Sequence, residues 1–243
     1  MIPEIKKIDE KTWALDEGGV RFFLLAGSER SLMIDSGMQT EDARGIAEEI
    51  LTAAGAPHGD ALELINTHAD RDHIHCNSQF PWFYMHPAEA TNFYGTKAAT
   101  GEMRAVWDGD ELDLGGRILR VIEIPGHTPG SIALLDVESW RLFGGDSIQD
   151  GRIFMFGVQR EMHAYRASMK RLMGMMDQFD TVFASHATME VPAKYVELMY
   201  EASGRVLAGE VEGHPAEFFG NKMTVVDCGV CTYLCQPAEE KGV

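Results

Sequence analysis

The chain of 243 residues is 45% hydrophobic and 24% charged, which suits a folded domain spanning residues 1–243 and excludes a disordered or disulfide-stapled polypeptide. Against 38 Asp and Glu stand only 21 Lys and Arg, a net charge of −17 with no basic patch, so we expect a small-molecule substrate and no nucleic acid. No run reaches the ~18 apolar residues of a membrane span, the opening MIPEIKKIDE lacks a secretory core, and four cysteines suit a reducing compartment. The expectation is a cytoplasmic protein without membrane partners, with a homo-oligomer left open.

Apolar runs at 12–15, 20–25 and 31–34, separated by Glu17-Gly18-Gly19 and Gly27-Ser28, read as an opening β-meander. Residues 40–54 carry an Ala/Ile/Leu pattern, acidic at its start and closed by Gly55, which predicts a helix. A strand follows at 62–66, a short helix is expected after Asp72, and a strand at 82–85 leads into a helical 87–93. Residues 112–124, turning at Gly115-Gly116, and 131–135 with 141–143 read as hairpins. Helical spacing recurs at 161–176 and 193–208 around a strand at 181–184, and a strand pair at 223–226 and 230–234 closes the chain. Two strand runs, each interleaved with helices, predict an α/β fold of the four-layer αββα sandwich type.

Directly after the strand at 62–66 comes Thr67-His68-Ala69-Asp70-Arg71-Asp72-His73, four ligand-type side chains within six residues. Extended backbone sends His68 and Asp70 to one face, where they can meet one cation, while Asp72 and His73 can diverge toward a second. Imidazole and carboxylate donors suit zinc, iron or manganese. Further along, His127 lies in the turn Pro125-Gly126-His127-Thr128-Pro129-Gly130, Asp146 in Gly144-Gly145-Asp146-Ser147 and His186 in Ser185-His186-Ala187, each just past an apolar strand. Without a cation, Asp70, Asp72 and Asp146 gathered together would repel one another and resist burial.

In this order, these residues resemble the metallo-β-lactamase superfamily pattern H-x-H-x-D-H followed by H, D and H, over almost the whole chain. The resemblance implies an αββα fold with a dinuclear site at one edge, holding two divalent ions, zinc first, with iron or manganese as alternatives. By position, His68, Asp70 and His127 would hold one ion, Asp72, His73 and His186 the other, and Asp146 would bridge them. Asp35, in Met33-Ile34-Asp35-Ser36-Gly37, matches an early family motif and would stand behind the ligands. The chain departs from the pattern at Asp70, where the family has its second histidine. That change leaves the site one unit less positive, a weaker Lewis acid, and tilts it toward iron or manganese. Flavodiiron proteins of the same superfamily carry a glutamate there, although this chain looks too short for their flavodoxin domain.

The resemblance thus implies a metal-dependent hydrolase, glyoxalase II-like or lactonase-like, in which a metal-bound hydroxide cleaves an ester, thioester or lactone and Asp72 carries the proton. The alternative is a non-haem di-iron redox enzyme of the same fold. Phe154, Met155 and Phe156 are expected to wall an apolar substrate pocket, with His163 lining it and Arg160 attracting a substrate carboxylate. Met169, Met173 and Met176 recur at helical spacing and are expected in the core. Cys228, Cys231 and Cys235 lack a fourth nearby thiolate and are read as small strand hydrophobes.

Overall fold

The computed structural model describes residues 1–96, 100–218 and 220–237. Its first sheet follows chain order: β1 (Glu4–Asp9), β2 (Thr12–Asp16), β3 (Arg21–Ala26), β4 (Ser31–Ile34), β5 (Leu62–Ile65), β6 (Trp82–Met85) and β7 (Glu102–Ala105). β1 to β4 form the antiparallel meander, and β4 to β7 are parallel. Parallel pairing needs crossovers. The first carries α1 (Ala43–Ala54) and the third follows α2 (Ala90–Tyr94).

The second sheet contains β8 (Glu111–Asp113), β9 (Ile118–Glu123), β10 (Ile132–Asp136), β11 (Arg141–Gly145), β13 (Thr181–Ala184) and β14 (Glu190–Pro192), ordered β14-β13-β11-β10-β9-β8. A smaller third sheet, ordered β12-β17-β16-β15, joins β12 (Arg152–Met155) to β15 (His214–Phe218), β16 (Asn221–Asp227) and β17 (Thr232–Cys235). The remaining helices are α3 (Met162–Met173) and α4 (Lys194–Leu207).

Side-chain alternation along the strands dictates the layering. In β3, Phe22 and Leu24 point toward Ala47 and Leu51 of α1, while Phe23 and Leu25 point the other way, onto Leu119, Val121, Leu134, Phe143 and Phe183 of the second sheet. Ala133, Leu135 and Leu142 of that sheet turn outward onto Tyr165, Met169 and Leu172 of α3 and Val196 and Met199 of α4. Three apolar interfaces therefore separate helix, sheet, sheet and helices, the expected αββα order. At about 25 cal/mol per Å² of apolar surface removed from water, such burial is the main term holding the layers together. Met169 is fully buried, with Met173 and Met176 packed against the same cluster.

Helix α1 starts at Asp42, whose Oδ1 accepts the Gly45 amide at 2.9 Å, two residues beyond the predicted Thr40. It ends on Gly55 in the left-handed conformation, as predicted. No helix forms directly after Asp72. The His73 carbonyl, which a helix would need, is taken by the Ser36 amide and by Asn66 Nδ2, each at 2.8 Å, and helical hydrogen bonding resumes only as a single 3₁₀ turn at Asn77–Gln79. Strands β1, β7, β12, β14 and β15 were not legible. β1, β7 and β15 are largely exposed and polar, so no apolar period marks them. Among the described residues no helix is long and apolar enough to cross a membrane.

Candidate metal centre

All the ligand-type residues lie on loops that leave one rim of the two large sheets: His68, Asp70, Asp72 and His73 after β5, His127 after β9, Asp146 after β11 and His186 after β13. They fall into two groups, His68/Asp70/His127 and Asp72/His73/Asp146/His186, the ligand atoms within each lying inside 4.8 Å of one another. In the first, His68 Nε2 is 3.2 Å from His127 Nε2, and Asp70 Oδ2 is 3.6 and 3.4 Å from these two nitrogens. In the second, Asp146 Oδ1 is 3.1 Å from His73 Nε2 and 3.2 Å from His186 Nε2, and Asp72 Oδ2 is 3.3 Å from the latter. Asp146 turns its other oxygen, Oδ2, toward His127 Nε2 at 3.6 Å, so one carboxylate faces both groups.

The imidazoles are oriented from behind. His73 Nδ1 bonds Asp35 Oδ2 at 2.8 Å, His127 Nδ1 the Phe154 carbonyl at 3.0 Å, and His186 Nδ1 the Gly19 carbonyl at 2.5 Å. His68 Nδ1 bonds Thr67 Oγ1 at 3.0 Å, and that hydroxyl donates to Asp35 Oδ2 at 2.8 Å. With Nδ1–H donating outward, each Nε2 lone pair is left facing the centre, the tautomer a metal ligand needs. Asp35 also accepts the Thr67 amide on Oδ1 at 2.7 Å, and its φ of 64° places it in the left-handed region that aspartate tolerates. Asp35 thus stands behind His73 directly and behind His68 through Thr67.

Other supports left no signal in the sequence. Glu89, fully buried, accepts the Ala69 amide at 2.9 Å and the Gly130 amide at 2.8 Å, cross-bracing the loops of His68 and His127. Asn66 and Asn77 bond each other at 2.7 Å, and Asn66 holds the His73 carbonyl. Arg21, paired with Asp16, donates to the carbonyls of Ala184, His186 and Ala187. Those of Glu89 and Arg21 reach backbone atoms 20 to 166 residues away, so no local motif encodes them. The turn before His127 requires Gly126, with φ 142°, because a Cβ there would come within 2.3 Å of the Tyr165 backbone.

Burial disfavours charge throughout, yet the imidazoles draw Asp70 and Asp146 well below the usual carboxylate range. In return, against the same burial, the carboxylates raise His73 well above the usual imidazole range and His186 to about 10. Burial, followed by the charge of Arg160, lowers His127. His73 Nε2 and Asp146 Oδ1 are buried and face each other at 3.1 Å without a hydrogen bond. Orphaned donor atoms among three carboxylates are what a divalent cation satisfies, so the residues present fit one.

A cavity of about 1040 Å³ opens over the second group, with Asp72, Asp146 and His186 at its floor and Val20, Met38, Phe154 and Phe218 on its walls. Phe154 thus lines this cavity, and Phe156 lines a neighbouring one beside Asp70 and Arg160. Two pocket expectations are corrected. Met155 points inward and is buried against Tyr165 and Ile153, as strand alternation demands once β12 forms. His163 is exposed on the outer face of α3, beside Arg166 and Arg205, away from the ligands. Arg160 lines the cavity beside Phe156 and is bonded to Asp70 Oδ2 at 2.6 Å. The free Cys228, Cys231 and Cys235 pack on the apolar cluster under α3 and α4 as small hydrophobes, but only Cys235 is in a strand, Cys228 and Cys231 lying in the turn between β16 and β17.

Fold and rim geometry together define an αββα protein with a two-compartment cluster of histidines and aspartates, and residues 15–186 match the sequence pattern of the metallo-β-lactamase superfamily. The chain belongs to that superfamily. It is 29% identical over 203 residues to the acyl-coenzyme A thioesterase MBLAC2 of Gallus gallus, covering 69% of this chain and 72% of that one. It is 35% identical over 113 residues to a hydroxyacylglutathione hydrolase of Rhodospirillum rubrum, covering 45% of this chain and 43% of that one. The fold is similar to a metallo-β-lactamase from Pontibacter korlensis, with a TM-score of 0.69 at 17% identity over 83% of this chain and 99% of that one.

Proposed function

We propose that this protein is a metal-dependent thioester hydrolase that holds two divalent cations, zinc first, and acts on a small molecule with an apolar acyl part. The observation carrying the reading is that four Nε2 atoms and three carboxylates converge in two adjoining groups, with Asp146 facing both. His68, Asp70 and His127 would hold one cation, Asp72, His73 and His186 the other, and Asp146 would contact both. Such a pair supplies Lewis acidity, which lowers the pKa of a coordinated water from 15.7 toward about 7 and polarises a carbonyl.

The chain's own residues do the rest. The apolar wall of Val20, Met38, Phe154 and Phe218 accepts the acyl part and excludes water, so the reacting carbonyl lies over Asp72 and Asp146. Asp72 is part-exposed at the cavity floor, with Oδ2 beside His186, and its carboxylate oxygen left free of the cation would take the proton released when water adds and return it to the departing thiolate. The names of the relatives support a thioester: they are acyl-coenzyme A thioesterases and hydroxyacylglutathione hydrolases.

Elemental analysis of protein purified without added metal, followed by thiol-release assays on acyl-coenzyme A and S-acylglutathione substrates beside a lactone and a phosphodiester, tests the reading. Zinc-dependent thiol release that a chelator abolishes is expected. Turnover confined to the phosphodiester, or two irons with redox activity and no hydrolysis, would overturn it.

A further inference from the structure

The ligand group that departs from the superfamily pattern is also the one with a fixed cation built into it. Asp70 Oδ2, the oxygen lying 3.6 and 3.4 Å from His68 and His127 Nε2, receives Arg160 Nη2 at 2.6 Å. The other arm of the guanidinium, Nη1, donates to the His127 carbonyl at 2.5 Å. Arg160 therefore grips two members of the group, one by its side chain and one by its backbone, and its side chain is only 14% exposed. Its loop is fastened alongside by the Glu161 amide, which bonds the Gly126 carbonyl at 2.9 Å.

The second group is different. Among the described residues, the ion-pair partners of Asp72 and Asp146 are imidazoles only, and a third carboxylate, Asp35, stands directly behind His73. Two carboxylates with no arginine or lysine partner thus face one compartment, whereas in the other the single carboxylate not shared between compartments already has a guanidinium. Arg is protonated at every accessible pH, so this asymmetry is permanent.

We infer that Arg160 is a resident counter-cation for Asp70 that makes the two compartments unequal. The Asp72/His73/Asp146/His186 group fills first, and the His68/Asp70/His127 group holds its divalent ion more weakly by a factor of ten or more, because the incoming ion must share Oδ2 with a guanidinium and sit against its charge. The inference rests on the two-cation reading above and goes beyond it by assigning the order of filling to one side chain. Arg160 acts as a positioning and charge-setting residue.

The test is metal binding to the full chain after chelator treatment: Co²⁺ alone, followed by its visible absorption, and Zn²⁺ in competition with a chromophoric chelator, on the native protein, Arg160→Met and Arg160→Lys. The native chain should bind in two steps at least tenfold apart, with separate cobalt spectra. Arg160→Met, which removes the charge and keeps an apolar stem, should tighten the second step tenfold or more and leave the first within threefold. Arg160→Lys should keep the steps apart. If the methionine variant fails to fold, Arg160→Gln is read by the same criterion. Two equal steps in the native chain, or a second step weakened by Arg160→Met or Arg160→Gln, would overturn the inference. A native chain that takes up neither cobalt nor zinc would overturn the metal-centre reading itself.

Discussion

Replacing Asp35 by Asn isolates the carboxylate that serves both compartments. The wild-type side chain accepts three hydrogen bonds, from the Thr67 amide at 2.7 Å, Thr67 Oγ1 at 2.8 Å and His73 Nδ1 at 2.8 Å. Asn tolerates the left-handed φ of 64°, so backbone strain is not introduced. Its amide, however, offers one acceptor oxygen and one donor group, and whichever end meets Thr67, the other confronts a partner of the wrong polarity. With Asn Nδ2 toward His73, the imidazole can satisfy it only by accepting on Nδ1, which moves its proton to Nε2 and removes the lone pair aimed at the centre. Loss of such a supporting carboxylate should weaken zinc binding about 10- to 100-fold, or about 1.4–2.8 kcal/mol. One mismatched buried bond should lower stability by about 1–3 kcal/mol. In a chain of this size that corresponds to roughly 2–12 °C in Tm. Chelator competition measures the first quantity and thermal melting of the chelator-treated protein the second. Zinc affinity within threefold of wild type at unchanged stoichiometry would refute the role given to Asp35.

Asp146→Asn should reduce thioester turnover by at least a hundredfold with an unchanged circular dichroism spectrum, since one neutral amide cannot serve both compartments; retained hydrolysis by this variant would count against the assignment. Burial pushes Cys231 up to about 12 and Cys235 to about 11, so both should resist iodoacetamide at pH 8 in the native state and react promptly in urea, as peptide mapping will show. The same raised values mean that their contribution to stability is complete below about pH 8.5 and is lost as pH climbs through the folded values, which an alkaline melting series will report. Burial opposes the charge on Asp16, but the Gly18 amide, Lys6 and Arg21 outweigh it and lower its pKa; its share of stability should therefore be present above about pH 4 and disappear on acidification. Arg21→Met should lower stability by about 2–4 kcal/mol and loosen the His186 loop, seen as faster amide exchange at residues 184–187.

Elements whose faces differ in burial were readable, because an apolar period appears wherever one side meets water and the other meets a core. Helix α1 with its terminal Gly55 is of this kind, whereas the strand at Ser31–Ile34 and the hairpin of β10 and β11 are buried on both faces and were readable as short continuous apolar runs. β7 and β15 lie at exposed edges and show no such period. The ligand-type residues stood out because each follows an apolar strand, and strands of parallel direction deliver their ends to one rim. Their supports did not stand out. Glu89 acts on backbone amides and Asn77 on the side chains of Asn66 and Ser36, partners brought near only by the finished fold, and the ion pair of Arg160 with Asp70 depends on a loop closing across 90 residues. Met155 and His163 were misplaced for a simpler reason: without recognising β12 and the outer face of α3, neighbours of Phe154 look equally close to the cavity.

Phe154 offers its carbonyl to His127 and its ring to the cavity. No substitution at position 154 other than proline-type backbone disruption can delete the first contribution, while nearly every substitution alters the second. Drift there can reshape which acyl group fits without disturbing how the imidazole is aimed, and Gly19 anchors His186 through its main chain in the same way. Two of the four histidine anchors are thus written in backbone, which leaves the surrounding side chains free to diversify.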